Sequence, residues 1–251
     1  MGFLYANGKS VDLTLLLPQV DRYGFVGGYA TAINIRDQVV GYQNILAQSF
    51  LYENGKALVF GMPNASTRAA SINDFGQIVG SFVGNAEGAL EHPFLRQPNG
   101  KMSDLGTFGG ISARASAIND RGQIAINVDR ADGSFHAVLV NPGGMIFQNL
   151  GKGTYANALN DLGQVVGGLN GHAIVYDRGS VQDLGSGAAN DINNFGVIVG
   201  DGSGVTSGLT DLGFSGFVYF PAVGRRSLQD LTPGIFTNHS DTTGAGRSKD
   251  T

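Results

Sequence analysis

The sequence predicts an all-β protein, a β-propeller of five four-stranded blades with one additional hairpin at the N-terminus. Two observations lead to this prediction. A motif of the form I-N-D-x-G-Q-I-V-G recurs at intervals of 33 to 46 residues, and a second pair of strand-like segments follows each copy. Helical periodicity is absent, and glycine, with 40 of the 251 residues, interrupts nearly every candidate helix.

The copies of the motif align on their asparagine. An alanine stands four positions before each asparagine, and an aliphatic residue stands directly before it. The asparagines are Asn34, Asn73, Asn119, Asn160 and Asn193, and the alanines are Ala30, Ala69, Ala115, Ala156 and Ala189. Because side chains alternate along a strand, we expect the alanines on one face and the aliphatic residues on the other. Small residues of this kind suit inner strands that crowd around a narrow axis.

Each motif forms the turn of a hairpin. In N-D-x-G the aspartate accepts turn hydrogen bonds and the glycine supplies a positive φ, which is typical of a type I turn followed by a left-handed residue. A second hairpin follows, from Ser49, His92, His136, His172 and Gly216, and its return strand ends near Asp-Leu-Gly. We expect Phe50, Phe94, Val138, Ile174 and Phe217 to fill the space between blades.

One unit therefore contains four strands, which is typical of a propeller blade. The alternative is a stacked β-solenoid, although solenoid coils usually repeat over shorter periods. The chain also opens with a hairpin, GFLYANGKSVDL, which pairs with a C-terminal blade to close the ring or is half of a lost blade. Residues 1–231 form one repeat domain in this interpretation, and residues 232–251 form a polar, flexible tail.

The composition excludes several classes of function. A net charge of −4 and a pI near 5.4 argue against nucleic-acid binding, which requires a basic face. The absence of cysteine excludes disulfides and thiolate metal sites. The apolar segment VDLTLLLPQV is shorter than the about 20 residues that a membrane-spanning helix needs. The glycine-rich runs lack the lysine of a phosphate-binding loop, so no cofactor is predicted.

The sequence resembles the HAF-repeat family of bacterial tandem-repeat proteins, which are regarded as extracellular. The resemblance rests on His92-Pro93-Phe94, His136-Ala137-Val138 and His172-Ala173-Ile174, together with the I-N-D-x-G-Q-I-V-G and D-L-G segments, and it covers residues 1 to 231. No copy spells His-Ala-Phe in full, and no signal peptide precedes the repeats in this sequence. The resemblance implies an extracellular or cell-surface location and no particular activity.

The candidate catalytic and metal-binding residues are weakly specified. If the protein is an esterase-like or glycan-active hydrolase, His136 or His172 is its general base, since acidic residues occur nearby in their repeats. A position repeated in several blades is more often structural than catalytic. Asp129 and Asp132, in the loop DRADGS, are possible metal ligands, but the full pattern of a calcium loop is missing.

A column that varies between the repeats, as a recognition surface does, lies five residues before each asparagine. It contains Tyr29, Arg68, Arg114, Tyr155 and Ala188. We expect these residues at one mouth of the central channel, where tyrosines and arginines stack on a sugar or bind a carboxylate. The sequence thus favours a binding module for a carbohydrate, a peptide or a cell-envelope component, with a hydrolase as the alternative. An unclosed ring would favour a homodimer, because it exposes strand edges.

Overall fold

The computed structural model describes residues 3–6, 8–16, 28–43, 47–203 and 214–228. Within these ranges the chain forms five four-stranded antiparallel sheets and one two-stranded hairpin, which confirms the predicted propeller architecture. A 3-10 helix at Leu13–Leu16 follows the hairpin. The predicted tail, residues 232–251, and His239 within it lie outside the described residues.

Each blade uses four consecutive strands in the order of the chain. The hairpin consists of β1 (Phe3–Ala6) and β2 (Lys9–Asp12). Blade 1 consists of β3 (Gly28–Ile33), β4 (Val39–Gln43), β5 (Ser49–Glu53) and β6 (Lys56–Phe60). Blade 2 consists of β7 (Ala65–Ile72), β8 (Ile78–Gly84), β9 (Glu91–Arg96) and β10 (Met102–Asp104).

The remaining blades repeat this order. Blade 3 consists of β11 (Ser112–Ile118), β12 (Ile124–Asp129), β13 (Phe135–Val140) and β14 (Ile146–Lys152). Blade 4 consists of β15 (Thr154–Leu159), β16 (Val165–Leu169), β17 (His172–Asp177) and β18 (Ser180–Ser186). Blade 5 consists of β19 (Ala188–Ile192), β20 (Ile198–Ser203), β21 (Phe214–Phe220) and β22 (Gly224–Ser227). The first strand of each blade lines a central channel of about 570 Å³.

The N-D-x-G turn has the predicted geometry. In blade 2 the N–H of Gly76 donates to the carbonyl of Asn73 (3.0 Å), the N–H of Asn73 donates to the carbonyl of Gln77 (3.0 Å), and Gly76 has a φ of +79°. Blade 1 has Asp37 in place of this glycine, and it also adopts a positive φ, +56°. Aspartate is among the residues that tolerate this region best, so the turn survives the substitution.

The asparagine of each motif joins two blades. The Oδ1 of Asn119 accepts the N–H groups of Arg121 (3.1 Å) and Gln123 (2.9 Å), which closes its own turn. Its Nδ2 donates to Oε1 of Gln123 (2.8 Å) and to the backbone carbonyl of Asn160 in the next blade (2.9 Å). Both donors and both acceptor sites of this buried amide are therefore used, as a buried polar group requires.

These bonds form a chain around the channel. The amide of each asparagine donates to the carbonyl of the next one, in the order Asn34, Asn73, Asn119, Asn160 and Asn193, at 2.9–3.1 Å. A parallel chain runs through the following residue. The N–H groups of Ile35, Asp74, Asp120 and Asp161 donate to Oδ1 of the next residue in the series Asp74, Asp120, Asp161 and Asn194, at 2.8–3.1 Å.

The carboxylates of this second chain stand close together at one mouth. Burial raises the pKa of Asp120, and the charges of Asp74 and Asp161 act in the same direction, against the lowering effect of the bond from the Asp74 N–H. The aspartates thus serve the turn and the contact between blades, as the turn chemistry of the motif indicated.

The expected separation of the alanine and aliphatic columns is wrong. A β-bulge interrupts each first strand; in blade 2 it lies between Ala69 and Ser71. Since a bulge inserts one residue, it reverses the alternation of side chains beyond it. Ala69 and Ile72 therefore face the same way and pack in one cluster between blades 1 and 2. The corresponding pairs in blades 3 to 5 behave alike.

The last glycine of the motif lies against the first strand in four blades, whereas blade 3 has Ile126 at this position. A Cβ on Gly80 would lie 2.0 Å from the carbonyl oxygen of Arg68 on the neighbouring strand β7. The equivalent distances at Gly41, Gly167 and Gly200 are 1.9, 1.9 and 2.2 Å. Any larger residue at these four positions would have to displace the backbone.

The core lies between the blades. One cluster joins Val40 and Leu51 of blade 1 to Ala69, Ile72 and Phe94 of blade 2. The predicted wedge residues are confirmed as buried: Phe50, Phe94, Val138, Ile174 and Phe217. Blades 2 to 4 thus bury one face against the preceding blade and the other against the following one. The N-terminal hairpin and the 3-10 helix cover part of blade 1 through Leu4 and Leu13.

We predict that Asn119→Ala lowers the free energy of unfolding by about 2–3 kcal/mol, because it leaves turn N–H groups and the Asn160 carbonyl without their partner. Urea unfolding followed by circular dichroism measures this loss. Asn193→Ala is the matched control, since Asn193 closes its own turn but, among the described residues, donates to no following motif asparagine. Equal losses in the two variants would contradict a role for the bond between blades.

Candidate ligand-binding site

The predicted mouth column occupies the beginnings of the first strands, at the end of the channel opposite to the N-D-x-G turns. The structure divides this column into separate groups. Tyr29 and Arg68 meet around Tyr42, Arg114 binds carboxylates, and Tyr155 packs within its own blade. Ala188 contributes no functional group.

The first group stacks three planar side chains. The rings of Tyr29 and Tyr42 lie 5.4 Å apart at an angle of 30°, and the guanidinium carbon of Arg68 lies 5.6 Å from the Tyr42 centroid. Tyr42 is paired with Tyr29 across β3 and β4, whereas Arg68 comes from the next blade. The cation–π contact holds the guanidinium in place without neutralising its charge.

Arg114 lies beside two carboxylates. Its Nη1 is 3.5 Å from Oε2 of Glu91 and 3.9 Å from Oδ2 of Asp129. The other oxygen of Glu91, Oε1, makes a short hydrogen bond with the hydroxyl of Ser81, which is buried. Glu91 is thus fixed from both sides, by a hydroxyl of its own blade and by a guanidinium of blade 3.

Arg68 and Glu91 line one cavity of about 250 Å³ in blade 2. Its other lining residues are Ser66, Ser81, Phe82 and Val83. The cavity therefore presents a guanidinium, a carboxylate, two hydroxyls and an aromatic ring. In the described part of the chain no carboxylate forms an ion pair with Arg68, so its N–H groups remain available to a ligand.

Tyr155 lies apart from this cavity. Its ring covers Gly168 on the neighbouring strand, where a Cβ would approach the ring to 2.3 Å. Burial raises the pKa of Tyr155, and the negative charge of Asp201 adds to this effect. The structure thus brings Tyr29 and Arg68 together through Tyr42, places Arg114 next to them through Glu91, and leaves Tyr155 elsewhere.

The histidines of the repeat connect the third and fourth strands of their blades. Nδ1 of His172 lies 2.8 Å from Oδ2 of Asp183, and Nδ1 of His92 lies 3.0 Å from Oδ2 of Asp104. His136 faces an amide instead, with Nδ1 3.3 Å from Oδ1 of Asn149. The Asp and Asn side chains of the D-L-G segments also accept the glycine N–H two residues on, at 2.7–2.9 Å.

Asp129 and Asp132, the predicted metal ligands, contact different residues. Asp129 lies toward Arg114, whereas Asp132 accepts the N–H (2.9 Å) and the hydroxyl (2.6 Å) of Ser134 and lies 3.7 Å from Nζ of Lys152. These bonds from Ser134 lower the pKa of Asp132. Among the described residues no group of three metal-ligating side chains forms.

A second and larger cavity, of about 400 Å³, lies between blades 4 and 5. Its polar lining includes Asp177, Arg178 and Gln182, and Nε2 of Gln182 donates to the hydroxyl of Tyr219 (3.0 Å). Sequence reasoning missed both this cleft and Glu91. Their residues do not form a column of the repeat alignment, so no signal for them appears in the sequence. Only the packing of adjacent blades brings them together.

No family model and no curated protein matches the chain. TolB from Acinetobacter baumannii aligns over 77% of this chain with a TM-score of 0.54 and 14% identity, and the chain spans only 51% of the TolB chain. An Aleuria aurantia lectin in complex with α-methyl-L-fucoside aligns over 80% of this chain and 77% of the lectin (TM-score 0.49, 11% identity).

A gluconolactonase from Xanthomonas campestris aligns over 71% of this chain and 69% of its own (TM-score 0.49, 12% identity). All three have propeller folds. At these identities the likeness to TolB supports the fold alone. No helix in the described ranges is long and apolar enough to cross a membrane.

We predict that the His172–Asp183 contact is a pH-dependent structural link. The Gly185 N–H, and then His172, lower the pKa of the Asp183 carboxyl. A depressed pKa in the folded state stabilises the fold above the unfolded value of about 3.9, and this contribution is lost as the pH falls through the folded pKa. Carboxyl NMR titration should show a pKa for Asp183 below that value.

The His172→Ala variant separates the two causes. Because the bond from Gly185 remains, its Asp183 should keep most of the depression in pKa. In Asp183→Asn the acid-dependent part of stability from this site should disappear. A pKa of Asp183 that returns to the unfolded value in His172→Ala would contradict the dominant role of the backbone N–H.

Proposed function

We propose that this protein is a non-catalytic binding module that recognises a carbohydrate in the cavity of Arg68 and Glu91. The observation that carries the proposal is the pairing, in one small cavity, of two charged groups. One is a guanidinium that forms no ion pair with a carboxylate among the described residues, and the other is a carboxylate fixed by two neighbours. Sugar hydroxyls act both as donors and as acceptors, so a donor and an acceptor held side by side match two adjacent hydroxyls.

Both polar groups are positioned before a ligand arrives. Glu91 is held by Ser81 and Arg114, and Arg68 rests over the ring of Tyr42. Side chains held in this way lose little rotational freedom when they bind, so more of the hydrogen-bond energy appears as affinity. Charge-assisted hydrogen bonds from a guanidinium and to a carboxylate are also stronger than neutral ones.

The size and lining of the cavity favour a small ligand. Its volume of about 250 Å³ lies below the range of 300–1,000 Å³ that is usual for drug-sized ligands, which suits a single sugar ring. Phe82 provides an aromatic surface for the apolar face of such a ring. Tyr29, exposed at the same mouth, offers a second stacking surface for a longer glycan.

The resemblance to HAF-repeat proteins supports a place for this module outside the cell or on its surface. Glycans and other cell-envelope components are abundant there. The same resemblance supports no enzymatic activity.

The hydrolase alternative is less well supported by the geometry. His172 and Asp183 have the spacing of a base and the group that orients it, but His92 and Asp104 repeat the arrangement in another blade. In both blades the carboxylate also binds the glycine N–H of its D-L-G turn. Because the His–Asp contact recurs in two blades, its role in joining the third and fourth strands is sufficient to explain it.

The proposal is tested by screening the fluorescently labelled protein on a glycan array and measuring the best glycan by titration calorimetry. Arg68→Ala should weaken binding by about ten- to a hundredfold, as expected for loss of hydrogen bonds to a charged group. Glu91→Gln should weaken it as well, because the amide replaces a charged acceptor. The melting temperatures of both variants should stay near that of the parent.

Two further variants serve as controls. Arg121→Ala removes an exposed arginine from a turn at the opposite mouth and should leave affinity unchanged. Gln182→Ala alters the cleft between blades 4 and 5. Loss of binding in Gln182→Ala with normal binding by Arg68→Ala would overturn the assignment of the site, and a lack of binding to every glycan would overturn the proposed function.

A further inference from the structure

The cleft between blades 4 and 5 has a polar wall formed by one face of the hairpin β17–β18. In this hairpin Val175 is paired with Gln182, and Asp177 is paired with Ser180. Because side chains two residues apart on a strand share a face, Asp177, Ser180 and Gln182 lie in a row on the same side as Val175. A carboxylate, a hydroxyl and an amide therefore line one side of a cavity of about 400 Å³.

The opposite wall, from blade 5, is apolar except for one hydroxyl. Ile192 and Ile198 are buried side chains of this wall, and Pro221 lies exposed at its rim. The hydroxyl of Tyr219 accepts Nε2 of Gln182 (3.0 Å), which fixes the orientation of the Gln182 amide. Apolar side chains opposite a polar row suit a ligand with a hydrocarbon stem and a polar end.

The acceptors of the polar row have unused capacity. Oδ2 of Asp177 accepts Nε2 of Gln164 (3.2 Å), but Oδ1 lies 3.7 Å from Nε of Arg178, which is too far for a hydrogen bond. The Arg178 side chain is 87% exposed, and an exposed pair of this kind holds a carboxylate only weakly. In the described part of the chain, Oε1 of Gln182 and Oγ of Ser180 accept no hydrogen bond from another residue.

The chain itself places a cation in the equivalent cleft between blades 1 and 2. Arg96 holds in blade 2 the position that Tyr219 holds in blade 5, since each pairs with the first residue of the second strand of its blade. Arg96 is 5% exposed, and its guanidinium carbon lies 4.8 Å from the centroid of the Phe60 ring in blade 1. The fold thus accommodates a buried cation between two blades at this repeat position.

A carboxylate held by a glutamine faces both clefts. Glu53 accepts Nε2 of Gln38 (2.6 Å) in blade 1, and Asp177 accepts Nε2 of Gln164 (3.2 Å) in blade 4. Each carboxylate belongs to the last residue of the third strand of its blade. The cleft between blades 4 and 5 therefore keeps the carboxylate of its counterpart, whereas Tyr219 replaces the arginine and the space beside it is open.

We propose that this cleft binds a primary ammonium group on an aliphatic chain, presented as the lysine side chain of a partner polypeptide. An ammonium has three N–H donors and no acceptor, so it complements the three oxygen acceptors of the polar row. The methylene groups of the lysine lie against Ile198 and Pro221 in this arrangement. The net charge of −4 on the chain also favours the approach of a cationic partner.

The rim of the cleft favours a polypeptide over a free amine. On blade 5, Phe195 is 86% exposed and Val223 is 60% exposed, and each lies within two residues of a lining residue, Gly196 or Pro221. Exposed apolar side chains beside polar groups are typical of a surface that contacts another protein. A lysine with apolar neighbours covers these side chains while its ammonium binds Asp177, whereas a free amine leaves them in water.

Titration calorimetry with two blocked peptides tests the role of the ammonium. Acetyl-leucyl-lysyl-leucine amide should bind about tenfold or more tightly than the same peptide with norleucine in place of lysine, because only lysine forms charge-assisted hydrogen bonds with the carboxylate. Asp177→Asn should weaken binding of the lysine peptide by about tenfold for the same reason. The matched control is Glu53→Gln, which should leave the affinity unchanged because Arg96 already lies between blades 1 and 2.

Replacement of Tyr219 provides a second test that leaves the carboxylate intact. Tyr219→Arg gives blade 5 the residue that blade 2 has, so its guanidinium should occupy the cleft and abolish binding of the lysine peptide. Tyr219→Met, which adds no charge, should retain most of the binding. Circular dichroism checks that both variants keep the fold.

Several results would overturn the proposal. Equal affinity for the lysine and norleucine peptides, or unchanged affinity in Asp177→Asn, would show that no ammonium binds this carboxylate. Binding of n-butylamine as tight as that of the lysine peptide would refute a polypeptide partner. Arg68→Ala should leave the peptide affinity unchanged, and displacement of the peptide by a glycan bound through Arg68 would show that both ligands share one site, against the separate cleft inferred here.

Discussion

The contact between neighbouring blades is the constraint on which the whole structure depends. Each blade is a separate sheet, so strand pairing cannot hold the ring together. Apolar clusters supply most of the attraction, but they are not directional. The asparagine chain adds direction, because one side chain both closes the turn of its own blade and binds the backbone of the next. The repeated asparagine therefore makes the same contact between successive blades, at 2.9–3.1 Å.

This division of roles explains which repeated residues are available for function. The asparagine, aspartate, glutamine and glycine of the motif, and the histidines of the third strands, all have structural partners. The arginines at the opposite mouth also contact a neighbouring blade, Arg68 over the ring of Tyr42 and Arg114 beside Glu91, but these contacts are not repeated in every blade. The cavity of Arg68 and Glu91 lies at this mouth, where side-chain identity changes without loss of the fold.

The ring is uneven around its circumference. Blades 2 to 4 are covered on both faces, whereas blade 1 is covered by a hairpin and blade 5 has an exposed outer face in the described structure. The stacked Tyr29 and Tyr42 lie on blade 1.

The five four-stranded units, the turn type and the buried wedge residues could be predicted from the sequence, because they depend on local turn chemistry and on a periodicity that five copies reinforce. The sequence could not place the alanine column, since a bulge at each first strand depends on how that strand crosses its neighbour. Nor could it find Glu91, whose position results from Ser81 in its own blade and Arg114 in the next. Contacts between blades join residues far apart in the chain, and only the tertiary structure decides them.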